Sequence, residues 1–296
     1  MKRGKNSFTL DYITGWGFLI PSLLFLSLTS LIPLIYTFWI SFTNYSIYRP
    51  GQTEYIGFQN YISGIQDWEF ITAAKNSLII ISISLFAEFL IGLTLALILF
   101  KDKPTYRTWR TFLLIPCIIA PVVVGVLWRL LLNPDYGLFT LGLKNIGLDR
   151  QWLSDPFWAK ISVIFVEVWT WTPFIMLIFV AGLKSLSDTP LEAAKIDGAN
   201  GFQIFWYITL PMLKPVIVIV LLLRLMDAFK MFDNVYVLTY GGPGSATSVL
   251  SLQIYKKGLK YFDLAVASAQ SWIFHICIFL ISFFILRTFT KVGRES

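Results

Sequence analysis

Between two apolar stretches, residues 158–183 and 212–240, the chain reads Glu192-Ala193-Ala194-Lys195-Ile196-Asp197-Gly198, then nine residues, then Ile208-Thr209-Leu210-Pro211. This polar, helix-forming loop sits between hydrophobic segments. Thr189 and Glu192 have the spacing of a capping box, Pro190 falls at the expected first helical position, and Gly198 supplies a stop. The helix so bounded has about two turns, too few to be stable alone in water. It needs a surface to pack against, and a short helix on the cytoplasmic side of a membrane protein suits a partner's cleft.

The rest of the chain explains the setting. Of 296 residues, 56% are hydrophobic and 14% charged, against about 25% charged in an ordinary soluble domain. Six stretches are long and apolar enough to be read as membrane spans: residues 14–42, 76–100, 112–132, 158–183, 212–240 and 264–288. The expected class is an all-α integral membrane protein. The first stretch is too long for a signal peptide, has no small-residue cleavage site after it, and is read as an anchor. With the N-terminus inside, the inner segments carry 13 of the 24 Lys and Arg and the outer segments eight, so the charge bias predicts N-in, C-in. That places the Glu192–Gly198 loop in the cytoplasm and makes the net charge of +7 a matter of topology, with no nucleic acid implied.

Chemistry-bearing motifs are few. Cys117 and Cys277 both fall inside expected spans, which disfavours a disulfide, and His275 reads as a packing residue. Gly241-Gly242-Pro243-Gly244-Ser245 lacks the Gly-Lys-Ser/Thr ending of a phosphate-binding loop and reads as a turn. No nucleophile elbow or metal-ligand pair is present, so ATP hydrolysis is expected on another chain. Charges inside spans are costly and point to function. At 100° per residue, Arg224, Asp227, Lys230, Met231 and Asn234 share a face of the fifth stretch, with Asp233 off it. Glu167, Thr170, Trp171 and Phe174 share a face of the fourth, beside the helix-bending Pro173. Such faces belong against a bundle interior or a wet cavity. They offer hydrogen-bonding groups for hydroxyls and aromatic surface for sugar rings. An Arg224–Asp227–Lys230 ion-pair network serving only packing is the competing reading. Glu88 reads as a helix contact and Arg129 as an interface anchor.

Glu-Ala-Ala, three residues, Gly, nine residues, Ile-x-Leu-Pro resembles the signature of the permease subunits of binding-protein-dependent ABC importers. Ile56-Gly57-Phe58-Gln59-Asn60-Tyr61, Asn133-Pro134-Asp135-Tyr136-Gly137-Leu138, Trp171-Thr172-Pro173-Phe174, Asp197-Gly198-Ala199 and Leu238-Thr239-Tyr240-Gly241-Gly242-Pro243 extend the likeness to the carbohydrate-uptake branch (maltose, glycerol-phosphate and multiple-sugar types). The resemblance implies a six-helix type I permease fold in the bacterial inner membrane. It implies residues 1–75 as tail, first span and external loop, residues 76–288 as core with a coupling loop at 184–215, and residues 289–296 as a cytoplasmic tail. Implied partners are a second, different permease, two ATPase subunits carrying ATP and Mg, and an extracytoplasmic solute-binding protein, with a saccharide as substrate and no cofactor in this chain. Glu192, Ala193, Ala194 and Gly198 would couple to the ATPase, with Phe202, Phe205 and Ile208 bracing the loop. Glu167, Thr170, Trp171, Phe174, Asp227, Lys230, Met231 and Asn234 would line the pathway, where Lys230 leaves room for acidic saccharides. An ion-coupled secondary carrier using Glu88, Glu167 and Asp227, and a membrane sensor that binds an ATPase without moving solute, are the alternatives.

Overall fold

Local signals start the two longest internal helices where capping rules place them. Asp67 accepts the Glu69 amide at 2.9 Å ahead of Trp68–Leu99, and Asp155 accepts the Phe157 and Trp158 amides at 2.9 and 3.0 Å ahead of Pro156–Ser185. Pro156 occupies the first position of the latter, where its missing amide costs nothing. The computed structural model describes residues 17, 19–49 and 51–292, and side chains through 287. Lys2, Arg3 and Lys5, the start of the first expected span and Arg294 lie outside the described residues.

In chain order the main helices are α1 (Leu19–Ile40), α2 (Gln59–Gln66), α3 (Trp68–Leu99), α4 (Pro104–Leu113), α5 (Pro121–Leu131), α6 (Leu138–Asn145), α7 (Pro156–Ser185), α8 (Asp188–Ile196), α9 (Gly201–Met212), α10 (Lys214–Ala228), α11 (Asp233–Leu238), α12 (Leu250–Tyr255) and α13 (Leu264–Val292). Four (α1, α3, α7 and the part of α13 through Arg287) are long and apolar enough to cross a membrane, and the pair α9–α10, bent by 64°, makes a fifth if counted as one span.

The third and fifth expected spans differ from continuous helices. Residues 112–132 run through the end of α4, a four-residue turn at Ile115–Ile118, and α5. The break precedes Pro121, where Ile119 and Ala120 have extended ψ of 136° and 134°, because a proline disfavours helical backbone in the residue before it. Residues 212–240 split at Leu213, between Pro211 and Pro215, and again after Ala228, with α11 a separate short helix.

The chain divides into two compact units. In the first, residues 1–66 and 256–273, the Ile56–Tyr61 motif closes the segment after α1. Buried Asn60 donates to the Ser41 and Thr43 carbonyls at 2.9 and 2.7 Å, Tyr61 shares a 2.8 Å hydrogen bond with Ser41, and Phe42 packs on Tyr55, Phe58 and Tyr61.

In the second unit, residues 67–255 and 274–296, α3 and α7 form the central pair. At Gly92 their backbones approach so closely that an added Cβ would lie 2.7 Å from the Ile175 Cγ2. Two apolar clusters build the core. One gathers Ile80, Val124, Trp128, Val163, Val166, Met231 and Val235; the other gathers Leu93, Ala96, Ile175, Met176, Phe179, Leu213 and Val220. Glu88 on α3 and Glu167 on α7 stand, in sequence, between the contributions of their helices to the two clusters. The glycine-rich loop after α11 is held to α3 by Asn76, which donates to the Ser245 carbonyl at 2.8 Å.

Candidate functional site

The side chain at the centre of the second unit is Arg224, 1% exposed. Its Nε donates to Glu88 Oε2 at 2.7 Å, and Nη2 donates to Glu88 Oε1 at 3.0 Å and to Glu167 Oε1 at 2.5 Å. Nη1 reaches Asp227 at 3.3 Å, and the guanidinium carbon lies 4.9 Å from the Trp171 ring centroid. Three helices, α3, α7 and α10, are thus joined through one cation. Isolated charges so deep would cost several kcal/mol each, and the planar fork of arginine answers two carboxylates at once.

Beside this network is a cavity of about 220 Å³ lined by Pro121, Glu167, Trp171, Asp227, Lys230, Met231, Phe232, Asp233 and Asn234. The sequence-selected residues divide around it. Glu167, Trp171, Asp227, Lys230, Met231 and Asn234 come together at the cavity. Thr170 is buried with its hydroxyl donating to the Val166 carbonyl at 2.7 Å, and Phe174 packs against the Ile175–Phe179 cluster instead. The expected Arg224–Asp227–Lys230 network is also revised. The described ion pairs of Arg224 run to Glu88, Glu167 and Asp227, with Lys230 outside them. Asp233, placed off the polar face by a continuous helical wheel, reaches the cavity because the helix is interrupted between Ala228 and Asp233. Phe229 to Phe232 could have signalled that interruption only through the spacing of their neighbours. No proline or glycine marks it.

A larger cavity of about 450 Å³, walled by Ile91, Leu95, Phe112, Pro116 and Trp169 among others, is almost entirely apolar and offers little to a hydroxyl-rich solute.

At the loop, α8 starts two residues ahead of Pro190, with Ser187 as N-cap and no side-chain cap hydrogen bond, so the expected Thr189–Glu192 capping box is not formed. The stop is as expected and is complete. Gly198 has φ +82°, its amide bonds the Lys195 carbonyl at 3.1 Å, and the Ala199 amide bonds the Ala194 carbonyl at 2.9 Å, the two bonds of a Schellman motif. A reciprocal capping box does exist one step later, Asn200 with Gln203, a spacing that was legible in the sequence. Glu192, Ala193 and Gly198 are exposed and Ala194 is buried. Phe205 packs on the Leu213–Phe179 cluster, but Phe202 is 72% exposed and does not brace the loop.

The chain matches the family described as binding-protein-dependent transport system inner membrane component over residues 88–292. It belongs to that family. A probable ABC transporter permease of Sinorhizobium fredii is 38% identical over 267 residues, 90% of this chain and 86% of its own length. The trehalose/maltose transport system permease MalF of Thermococcus litoralis is 35% identical, covering 95% of this chain and 93% of that one. Among solved structures, a chain from a bacterial ABC transporter involved in the import of the acidic polysaccharide alginate superposes with a TM-score of 0.84 at 26% identity, covering 98% of this chain and 99% of that one. This permease therefore has the type I ABC importer permease fold and is a multi-pass component of the inner membrane. All three acids that an ion-coupled carrier would use, Glu88, Glu167 and Asp227, are paired with Arg224.

Proposed function

We propose that this permease is one half of the membrane pathway of an ATP-driven saccharide importer, completed by a second, different permease, two ATPase subunits and an extracytoplasmic solute-binding protein. Its relatives' named substrates include trehalose and maltose, and its cavity combines carboxylates, an amide and an indole, groups suited to hydroxyls and to the apolar faces of sugar rings. At about 220 Å³ the cavity is below the ~300–1,000 Å³ of complete small-molecule sites, as expected of a half-site facing a partner subunit. Glu167, Trp171, Asp227, Lys230, Met231 and Asn234 are assigned to it, with Thr170 and Phe174 supporting from α7. Six spans with both termini inside, the core at 76–288 and the tails on either side belong to the same reading, with the broken α4–α5 segment as the third span. The chain needs no cofactor of its own; ATP and Mg belong to the ATPase.

The observation that carries the coupling role is the apolar surface left bare around α8. Ile196 is 86%, Phe202 72% and Tyr207 79% exposed on an otherwise polar loop, beside a concavity formed by Asp197, Gly198, Ala199, Gln203, Tyr207 and Ile208. Exposed apolar groups clustered with a rimming set of polar ones mark an interaction surface. Glu192, Ala193, Ala194 and Gly198 form the element the ATPase would grip, so that closure of the ATPase dimer swings the spans between outward- and inward-facing states. The test is reconstitution with the neighbouring subunits, screening saccharides for stimulated ATP hydrolysis. Glu192→Lys should leave the protein in the membrane and separate hydrolysis from uptake; uptake at the wild-type rate would remove the case for that residue.

A further inference from the structure

The cavity beside Arg224 has a charge and a hydrogen-bonding sense that the sequence did not disclose. Read along the helices, Arg224 and Lys230 make the site look receptive to acids. Folded, Arg224 lies behind the cavity with its guanidinium taken up by Glu88, Glu167 and Asp227, and the lining itself carries Glu167, Asp227 and Asp233 against Lys230 alone. Counting both layers, four carboxylates face two cations, a formal charge of −2.

A second, independent observation gives the same sense. Asn234 is 6% exposed and lines the cavity; its Nδ2 donates to Glu167 Oε2 at 3.2 Å. That contact fixes the amide orientation, since a carboxylate can only accept. The Asn234 Oδ1 is then a buried acceptor without a partner. Leaving such an oxygen dry is costly, so it calls for a donor, from water or from a solute hydroxyl. Hydroxyl and ammonium groups donate; carboxylates and sulfates do not.

Resting on the pathway reading above, we propose that this cavity selects saccharides that donate hydrogen bonds and carry no negative charge, neutral or amine-bearing, and turns away uronates and sulfated sugars. Asp227 and Asp233 set the exclusion, Asn234 Oδ1 takes a sugar hydroxyl, and Trp171, pinned by the cation beneath it, offers its free face to the ring.

The test uses the whole importer in vesicles, with Cys117→Ser and Cys277→Ser removing the native thiols and Met231→Cys placing one in the cavity. Its rates of modification by cationic trimethylammonium-ethyl and anionic sulfonatoethyl methanethiosulfonate are compared with those of a free thiol in solution. The expected result is a preference for the cation of about tenfold or more over the free-thiol ratio, the order by which a charged cleft concentrates counter-ions. Asp227→Asn with Asp233→Asn should reduce that preference several-fold, and a transported neutral saccharide should slow both reagents. Phe232→Cys repeats the measurement should Met231→Cys fail to assemble. Equal rates, an anion preference, or a cation preference untouched by the two Asn replacements would overturn the assignment. A cation preference that collapses in the Asn variants while no transported saccharide protects the thiol would instead overturn the cavity's place in the pathway, and the ligand assignment with it.

Discussion

Arg224 and Glu88 meet in a two-pronged ion pair, Nε to Oε2 at 2.7 Å and Nη2 to Oε1 at 3.0 Å, with both side chains at most 1% exposed. The pair ties α10 to α3, and Glu167 from α7 shares the same guanidinium. Breaking a buried pair by removing one partner leaves an uncompensated charge. Arg224→Met should therefore destabilise the permease by about 3–5 kcal/mol. Arg224→Lys should also destabilise it, because an ammonium cannot serve two carboxylates in a planar fork. Thermal unfolding of the purified complex reads this directly, and an Arg224→Met midpoint equal to wild type would show that the network carries no stability.

Packing of α3 on α7 depends on Gly92. A Cβ there would stand 2.7 Å from Ile175 Cγ2, 3.1 Å from Ile175 Cβ and 3.3 Å from the Met176 amide nitrogen. The last is backbone and cannot swing aside. Gly92→Ala should cost about 1–3 kcal/mol by overpacking, and Ile175→Ala should cost less in that variant than in the wild-type chain, since it removes the clashing Cγ2 and leaves the Cβ and backbone contacts. A stable Gly92→Ala protein would mean that the two helices separate more easily than their contacts indicate.

What the sequence disclosed and what it hid divide along a physical line. Apolar length found α1, α3, α7 and α13, because desolvation of about 20 residues leaves a signal in composition alone. Local chemistry found the stop at Gly198 but misplaced the start of α8, since the spacing of Thr189 and Glu192 says nothing of whether their side chains turn inward. The helical wheel grouped Asp227, Lys230, Met231 and Asn234 correctly and missed Asp233, because it assumed a helix that in fact breaks after Ala228. The link from Arg224 to Glu88 spans 136 positions and has no periodicity to reveal it.

A pH effect is expected outside the spans. Asp102, between α3 and α4, is held below the usual carboxylate range first by its hydrogen bond from Lys184 and then by that residue's charge, with Arg110 3.8 Å away adding a weaker pull. A carboxylate whose folded pKa is depressed contributes stability above its unfolded pKa, near 4, and loses it as pH falls through the lower folded value. Between pH 5 and 8 the contribution should be constant. Because Asp102 is open to solvent it should be small. Asp102→Asn should flatten the acid limb of a stability–pH curve below pH 4 and leave neutral stability nearly unchanged. An unaltered acid limb would assign that limb to other carboxylates.

Lys230 is exposed at the cavity and stands apart from the ion pairs of Arg224. Truncating it removes the lining's one cation and leaves packing intact, so Lys230→Ala should preserve assembly while shifting the substrate profile. Because the cavity then becomes more negative, amine-bearing saccharides should gain relative to neutral ones, measured as stimulated ATP hydrolysis across a panel presented by the same binding protein. An identical profile would return Lys230 to the role of a solvated surface residue.

The last prediction concerns the turn that ends α8. Gly198 holds φ at +82°, a left-handed conformation that costs a residue with a Cβ about 1–2 kcal/mol. Nothing lies within 4 Å of where that Cβ would stand, so Gly198→Ala introduces backbone strain without a clash. The strain is confined to the end of a largely exposed nine-residue helix, at a residue that belongs to neither apolar cluster of the second unit, and should leave the folded permease in the membrane. Its effect should fall on the loop's shape: the Ala199-to-Ala194 bond loosens, Ile196 and Tyr207 are presented at a different angle, and the ATPase loses its grip. Saccharide-stimulated ATP hydrolysis by the reconstituted importer should drop several-fold. Gly198→Asn, which tolerates left-handed backbone better, should lie between Ala and wild type. If Ala and Asn behave alike, the defect is not one of backbone conformation, and the turn at Gly198 is not what presents α8 to its partner.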